Sequence, residues 1–597
     1  MEPAGETSAP GGDGRIPFTF RIGVTGHRDF ADPDALRLRI REAIKQLLMH
    51  VPVAPGSGMA LVVVSALAEG ADRLVAEEVL AAGGDRLVLQ DVLGSGIGRR
   101  AQKDAKDGLE PGPGRMVLET VLGDLETRLE VALPLRQPDY EEDFKTEESK
   151  EEFHRLLARA SAIWPAPITE TRNEAYELAG RYVVDRSDAL IALWDGEDSR
   201  GRGGTEEIVA YAQESGVPIA WIHTNGDQEP AYAHSHDQDS RAGVLIQAAA
   251  KLHTYNARVI DSAKFDKRLH ELRDELMPDV AREIPIDPRG LSREKVADWV
   301  FPYFVRADLL ALHYQSRFLR LSRGIFALAA AAVAVVALQV TIWPHYDWVV
   351  VLEVLCLIGL LFALRMNHRL RLHDQWISSR FLAERLRSSY FLALAGTGDQ
   401  RATAEQRGRA PRIAFFSDSS EAWIERALSE VIARRPQLDA KSAPLDGLRD
   451  YLKRHWIEGQ ISYQTRSSGE QRASDRWLAR MVKILFSVTL VAALVHSIGS
   501  YIFTVPEGWK NALLIASITF PAIGAGLHGY GAQRQFRRHS ERYRTMAGVL
   551  AQARADMAGA TTIYQVQDVA RETERIMREE NSDWFGVMRF HDIELIT

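Results

Sequence analysis

GIFALAAAAVAVVALQVTIW, residues 324–343, decides the architecture. It carries no charged side chain, and as a helix it is about 30 Å long, enough to cross the hydrocarbon core of a bilayer. Three later stretches read the same way. Trp348–Leu364 holds one carboxylate, Glu353; Ile484–Val505 holds none; Asn511–Gln533 is uncharged, although it contains Pro521 and glycines 524, 526, 529 and 531. Proline and glycine weaken a helix in water, but inside a membrane neighbouring helices re-satisfy the freed backbone. These stretches predict an all-α membrane region with four transmembrane helices in two hairpins.

The flanking charges orient the hairpins. Only Pro344–Asp347 separates the first two stretches, between Trp343 and Trp348, and Pro506–Lys510 separates the last two. The opposite side is basic: Arg317, Arg320 and Arg323, then Arg365, Arg369 and Arg371, then Arg476, Arg480 and Lys483, then Arg534, Arg537 and Arg538. The positive-inside rule places these ends and both termini in the cytoplasm, giving a multi-pass protein of a cell inner membrane. A carboxylate within a span is costly, so Glu353 either reaches the headgroups near Trp348 or lines a pore. His496 and His528 read as packed neutral histidines.

Composition sets outer bounds. The 597 residues are 26% charged with a net charge of -8, which argues against a general nucleic-acid binder. The single cysteine, Cys356, excludes an intramolecular disulfide and a cysteine-based zinc site. No cofactor or metal is expected. Met1–Gly14 lacks a basic region followed by an apolar run, so it reads as a disordered tail and not a secretory signal.

The two hairpins look like diverged copies. Tyr314-Gln315-Ser316-Arg317 precedes the first and Tyr463-Gln464-Thr465-Arg466 the second; Glu384-Arg385 follows one and Glu541-Arg542 the other. The Glu-Arg marks are equally compatible with solvated helix surface. The expected division is a connector at 225–310, one hairpin with a cytoplasmic helix at 311–395, a linker at 396–456 and the second hairpin at 457–597.

Residues 15–224 alternate strand-like and helix-like patterns, which predicts an α/β Rossmann-like domain with a mostly parallel sheet. Phe18–Thr25 and Met59–Val64 read as strands, followed by helices at Asp34–His50 and Ala71–Ala82. Leu87–Gln90 or Leu129–Leu133 is the next strand, and Ala189–Trp194 and Val217–Ile222 complete the set. Residues 94–114 read as an inserted loop. Asp227, His234, His236 and Asp237 form a polar cluster in a loop.

Ligands of open α/β sheets bind where strands end and helices begin. Three loops qualify: Gly26-His27-Arg28; Ser65 to Glu69-Gly70; and Asp195 through Gly203-Gly204-Thr205 to Glu207. Glycine lets backbone approach a ligand, and helix N-termini attract phosphate. Thr205 is placed to cap its helix and to bond a phosphate. Arg181 and Arg186 are candidate charge partners. No Walker A sequence or His-Glu-x-x-His is present, and the dinucleotide fingerprint Gly-x-Gly-x-x-Gly with an acid on the second strand is not matched after the first strand.

The run Val64-Ser65-Ala-Leu-Ala-Glu69-Gly70-Ala-Asp72-Arg73, with Asn173–Tyr176, Arg181–Asp188, Leu190–Gly196 and Gly203-Gly204-Thr205, resembles the SLOG superfamily, which includes DNA-processing proteins and lonely-guy enzymes. The resemblance implies a Rossmann-like fold that binds nucleotides or their derivatives. The membrane half is similar to SLATT, a two-helix membrane family found with SLOG proteins in bacterial conflict systems, on Ala383–Arg387 and Glu579–Trp584. That likeness implies a pore responding to a nucleotide signal.

Three functions follow as expectations. The first is a ligand-gated membrane effector, a homo-oligomer in the lipid bilayer controlled by a nucleotide-derived small molecule. Its ligand residues would be Gly26, His27, Arg28, Ser65, Glu69, Gly70, Arg181, Arg186, Asp195, Gly203, Gly204 and Thr205. The second is a membrane-tethered enzyme that cleaves an N-glycosidic bond. The lonely-guy loop is Pro-Gly-Gly-x-Gly-Thr-x-x-Glu; here the proline is missing and Ile208 stands at the final glutamate, leaving Glu207 as the catalytic candidate. The third is a scaffold or transporter, although transporters usually carry more spans.

Overall fold

Phe18–Gly26 forms a strand, β1, because its apolar and β-branched residues suit burial on both faces; six of its nine residues are buried, and Arg21, Thr25 and Gly26 are partly exposed. A computed structural model describes residues 12–48, 58–82, 125–164, 166–167, 169–197, 203–224, 230–233, 241–277, 291–397, 419–436, 445–502 and 506–589. The expected loop at 94–114, the strand candidate Leu87–Gln90 and the polar cluster Asp227, His234, His236 and Asp237 lie outside the described residues. The chain divides into two units: 1–261 with 400–435, and 262–399 with 436–597.

In the first unit, β1 is followed by α1 (Pro33–Leu48), β2 (Met59–Ser65), α2 (Ala71–Ala82), β3 (Leu125–Ala132), α3 (Gln137–Glu141), α4 (Glu147–Leu157) and β4 (Ala160–Trp164). Then come α5 (Arg172–Arg186), β5 (Ala189–Trp194), α6 (Thr205–Glu214), β6 (Ile219–His223), β7 (Ala231–Ala233) and α7 (Arg241–Ala257). The sheet order is β4-β3-β2-β1-β5-β6-β7, parallel except for the antiparallel β7. The parallel α/β class expected from the sequence is what the structure has. Two strands escape the sequence reading. β4 is an edge strand of alternating exposure and β7 has three residues, so neither presents an apolar run. Of the two candidates for the third strand, 129–133 lies mostly in β3.

The order has a consequence for function. The chain builds β1 to β4 outward on one side, then returns to place β5 against the other edge of β1. The reversal point therefore lies between the carboxyl ends of β1 and β5. The core beneath it is Val62, Val64, Leu190 and Ala192 under Val183, Val184, Ile208 and Val209.

A helix from far along the chain completes this unit. α12 (Ser419–Ala433) turns a stripe of Trp423, Ile424, Ala427, Leu428 and Val431 into the core, with Trp423 against Tyr255 of α7 at 5.5 Å. Its charges are paired, two of them with buried partners. Arg426 forks onto Asp188, which also accepts the Arg21 amide at 2.9 Å. Glu430 takes Thr19 and Arg128, and Arg434 reaches Glu126 at 2.7 Å.

The second unit is helical: α8 (Ser262–Leu276), α9 (Leu291–Thr341), α10 (Val349–Leu370) and α11 (Leu372–Leu394) precede α12. α13 (Leu445–Tyr451), a π-helical segment (Leu452–Glu458), α14 (Gly459–Ile502), α15 (Glu507–Arg534), α16 (Phe536–Gly559) and α17 (Ile563–Arg589) follow it. Among the described residues, four stretches are long and apolar enough to cross a membrane, in α9, α10, α14 and α15, as the sequence indicates. The two hairpins repeat a device. α10 ends at Arg371, φ 44° and ψ 42°, and α15 ends at Gln535, φ 45° and ψ 39°; a new helix starts at the next residue each time. α9 packs on α11, and α14 on α16, so each copy is a long helix, a return helix and a further helix that continues it.

Burial pushes the Asp188 and Glu430 carboxyls up, but Arg426 outweighs it for Asp188, and Arg128 and Arg434 do so for Glu430, holding both below their ordinary values. Their contribution is thus complete at neutral pH and is lost as pH falls below about 4. Arg426→Ala strands a buried carboxylate and should cost about 3 kcal/mol, read as roughly a hundredfold faster hydrogen exchange over residues 419–433 at pH 7. That difference should shrink on acidification; equal exchange in both proteins at pH 7 would remove the pair from the account.

Candidate functional site

β1 hands directly into the first loop. The His27 amide continues the sheet by donating to Leu193 O at 3.0 Å, and the His27 carbonyl accepts the Ala71 amide at 3.0 Å. One residue thus ties the ends of β1, β5 and α2. Gly26 and Gly70 are needed there. A Cβ on Gly26 would lie 2.5 Å from Ala71 Cβ, and one on Gly70, φ +82°, would lie 2.3 Å from Arg28 O.

The second loop is braced from within. Ser65 is fully buried; its hydroxyl donates to Asp72 and accepts the Leu67 amide. Asp72 also accepts the Ala66 and Ala68 amides. Burial pushes its carboxyl up to about 6 against those bonds. Leu67 is held at φ 58°, a costly conformation for a branched side chain, by Ser65 and by Arg73, whose guanidinium donates to Leu67 O. Arg73 then reaches Ser149 and Glu152 and lies 4.5 Å over the Phe144 ring. Glu69 accepts the Ser149 hydroxyl and the Lys145 amide, and these bonds hold its carboxyl low despite burial. Ser65 and Glu69 thus both hold the loop in shape.

The third loop meets the first through His27 Nε2 and Asp195 Oδ1, 3.2 Å apart. Asp195 also accepts the Glu197 amide, which keeps its carboxyl low. Gly203, φ +83°, lies where a Cβ would approach Glu177 N at 2.9 Å and Tyr176 Cβ at 3.1 Å. Tyr176 also lies 6.0 Å from the Arg28 guanidinium carbon, so it links loops one and three. Its hydroxyl donates to Asp143, and burial with that bond raises it to about 12.

The N-cap of α6 is Gly204, with no side-chain bond, and Thr205 is the first helical residue; the expected capping by Thr205 is not formed. Glu207, in the first turn, reaches back instead to the Gly203 amide, which it accepts at 2.6 Å. Arg181 pairs with Glu177 at 2.7 Å and covers the Tyr211 ring. Arg186 faces Glu130 at 3.4 Å and the Trp164 ring. Among the described residues, neither makes a hydrogen bond or ion pair with the three loops. Sequence reasoning missed Tyr176, Arg73 and an aromatic group, Trp194, Trp221 and His223, stacked 5.0–5.3 Å apart beside Gly196. Aromatic residues at the ends of adjacent parallel strands were the available signal. The arrangement offers backbone amides, Arg28 and flat rings at one sheet edge, which suits a phosphate-bearing ligand with a planar part.

In the other unit, the model of SMODS and SLOG-associating 2TM effector domain 3 matches residues 302–391, and that of effector domain 1 matches residues 451–584. Two SLATT domains are found in the C-terminal part. They coincide with the two copies of the long-helix, return and continuation pattern. No curated protein matches the chain. The SLATT spans pack as a row: α10 on α9, α9 on α15, α15 on α14. Glu353 is half-buried on α10, about 6 Å along the helix from its start at Val349.

Gly70→Ala should displace the first loop and cost more than the roughly 1–2 kcal/mol of a left-handed alanine alone. Gly216→Ala, φ +67° with open space around a Cβ, should cost only that conformational part. Denaturant titration of the two variants tests this; equal losses would mean that the close approach to Arg28 is unimportant.

Proposed function

We propose that the first unit is a SLOG-like sensor of a nucleotide or nucleotide-derived molecule, and that it controls a pore or membrane-perturbing assembly built by the SLATT domains. The observation that carries this reading is the switch point between β1 and β5, where His27 joins three chain segments and Tyr176 meets both Arg28 and Gly203. The membrane half supports the output. A row of four spans leaves apolar residues such as Leu355, Ile358 and Phe362 of α10, and Leu490, Val491 and Leu494 of α14, on its outside. Such a row encloses nothing alone, so the conducting form would be a homo-oligomer. Both termini would face the cytoplasm of an inner membrane, on the positive-inside rule. The wider role in bacterial conflict and anti-phage defence is an analogy with SLATT and SLOG pairs.

The covalent path suits coupling. The chain passes between units at 261/262, 399/400 and 435/436, so the sensor includes a helix, α12, that lies in sequence between the two SLATT domains. To shift a pore from 1% to 99% open, a ligand must favour the open state by about 5.5 kcal/mol. Glu207 is engaged by the Gly203 amide, which supports sensing over glycosidic cleavage.

Full-length protein in dye-loaded liposomes should release dye only with a particular nucleotide present, and Arg28→Ala should raise the nucleotide concentration required about tenfold. Proton NMR of the same mixture should show broadened ligand lines and no new peaks. Free base and ribose phosphate, abolished by Glu207→Gln, would establish an enzyme instead. Dye release independent of every nucleotide bound would end the gating reading.

A further inference from the structure

α9 and α15 meet at one end of their apolar stretches. A Cβ on Gly529 would lie 2.9 Å from the Phe326 ring, and the Ser322 hydroxyl donates to Gln533 Oε1 at 2.5 Å. These pairings make the two helices antiparallel. The next residue on each is an arginine: Arg323 precedes Gly324, where the first apolar stretch begins, and Arg534 follows Gln533, where the fourth ends. The two positions therefore lie within about 3 Å of each other along the helix axes. Arg323 is exposed; Arg534 is partly buried, and its Nε is sealed from solvent without an acceptor. Among the described residues neither arginine forms an ion pair, and the ionisable groups that act on Arg534 are Tyr530, Tyr543 and Arg323, none of them a carboxylate. Gln533 Nε2 is also buried without an acceptor. The cluster is two cations and an amide donor with nothing negative among them. We propose that it binds the phosphate of one phospholipid of net negative headgroup, shared between the two SLATT domains.

An arginine at a membrane boundary ordinarily extends its head into water. Arg534 does not, because of how α15 ends. Gln535, φ 45°, breaks the helix and turns Phe536 back beside it, so the Arg534 guanidinium carbon lies 5.3 Å from the centre of the Phe536 ring. Phe536 meets Tyr530 at 6.2 Å, and Tyr530 meets Phe326 of α9 at 6.2 Å. This chain of rings runs from one hairpin to the other and holds the arginine against the protein. Arg323 turns its Nε back to Leu319 O at 3.1 Å, and among the described residues its terminal nitrogens have no acceptor. A phosphodiester carries only acceptor oxygens on its phosphorus and supplies the negative charge that the cluster lacks.

A soluble phosphate has the same chemistry, and depth separates the two sources. Each arginine is one residue from an apolar stretch, which puts it at headgroup level, where lipid phosphate is already concentrated. Net charge separates the lipids. A zwitterionic headgroup would bring an ammonium beside two guanidiniums, whereas phosphatidylglycerol or cardiolipin adds negative charge alone. Arg323 belongs to the domain matched at 302–391 and Arg534 to the one matched at 451–584, so the lipid would act as a tie across them.

Full-length protein in detergent micelles would be titrated with phosphatidylglycerol or phosphatidylcholine and weighed by native mass spectrometry. One phosphatidylglycerol per chain should be retained at a concentration at least about tenfold below that needed for phosphatidylcholine. Arg323→Gln removes an exposed charge, leaves the chain of rings intact and should reduce that preference about fivefold. Arg365→Gln/Arg369→Gln removes two exposed charges from α10 at the same boundary and should leave the preference unchanged. Equal retention of the two lipids, or retention of phosphatidylglycerol unaltered by Arg323→Gln, would overturn the proposal. An equal loss in the α10 double variant would reduce it to a diffuse attraction and overturn it too. Displacement of the bound lipid by inorganic phosphate would assign the cluster to a soluble ion, with the same result.

Discussion

Helices in a bilayer gain nothing from hiding apolar surface from lipid, so their association has to come from close fit. In this protein the fit is supplied by the glycines of α15. A Cβ on Gly529 would lie 2.9 Å from the Phe326 ring of α9, and Gly526 lies against the backbone of the same residue. Gly524 receives the Phe486 ring of α14, and Gly531 receives Leu478. α15 therefore joins the two hairpins of the row, notched on one side for the first SLATT domain and on another for its own partner helix. The composition that makes it a poor helix in water is what joins the two hairpins.

Outside the spans the joining uses charge. α17 follows the second domain and pairs with both copies: Glu574 lies 4.0 Å from Arg385 of α11, and Glu580 2.6 Å from Arg542 of α16. Both arginines are the cations of the repeated Glu-Arg marks. Each is well shielded, 13% and 21% exposed, so the marks are joints between helices and not solvated surface. The repeat is reinforced by Arg380 of the first copy, which donates to the Tyr463 hydroxyl at the start of the second. Partly buried pairs of this kind lose more on disruption than exposed ones, and they hold the two domains as one body once they leave the membrane.

What the sequence displayed follows from the range of the interactions involved. The spans, β1, β2 and β5 are local apolar runs, and each appears in the structure nearly where its composition places it. The three loops are legible because glycine at a strand end is a local signal. The rest depends on partners hundreds of residues apart. Nothing in residues 419–433 shows that Arg426 will meet Asp188, 238 positions earlier, or that Glu430 will meet Thr19, 411 positions earlier. The same limit applies at the site. Ser65 and Glu69 stand in a glycine loop, and the sequence does not show that they bond Asp72, Ser149 and the Lys145 amide. The sequence likewise does not show that Arg186 lies beside Glu130 and Trp164.

The distribution of satisfied groups at the sheet edge bears on how a signal could start there. Loop two has little to give: Ser65, Glu69, Asp72 and Arg73 are committed to one another or to α4, and Leu67 is held in a conformation it would leave if they let go. Loops one and three are joined more lightly, by the His27–Asp195 contact and by the ring of Tyr176 between Arg28 and Gly203. His27 and Arg28 are only partly covered, whereas Ser65 is sealed. A ligand entering between β1 and β5 would therefore meet a stiff wall on one side and an adjustable seam on the other. Motion confined to that seam costs less than unbracing loop two. It also bears directly on β5 and its flanking helix, because Asp195 and Gly203 bound the segment that joins β5 to α6.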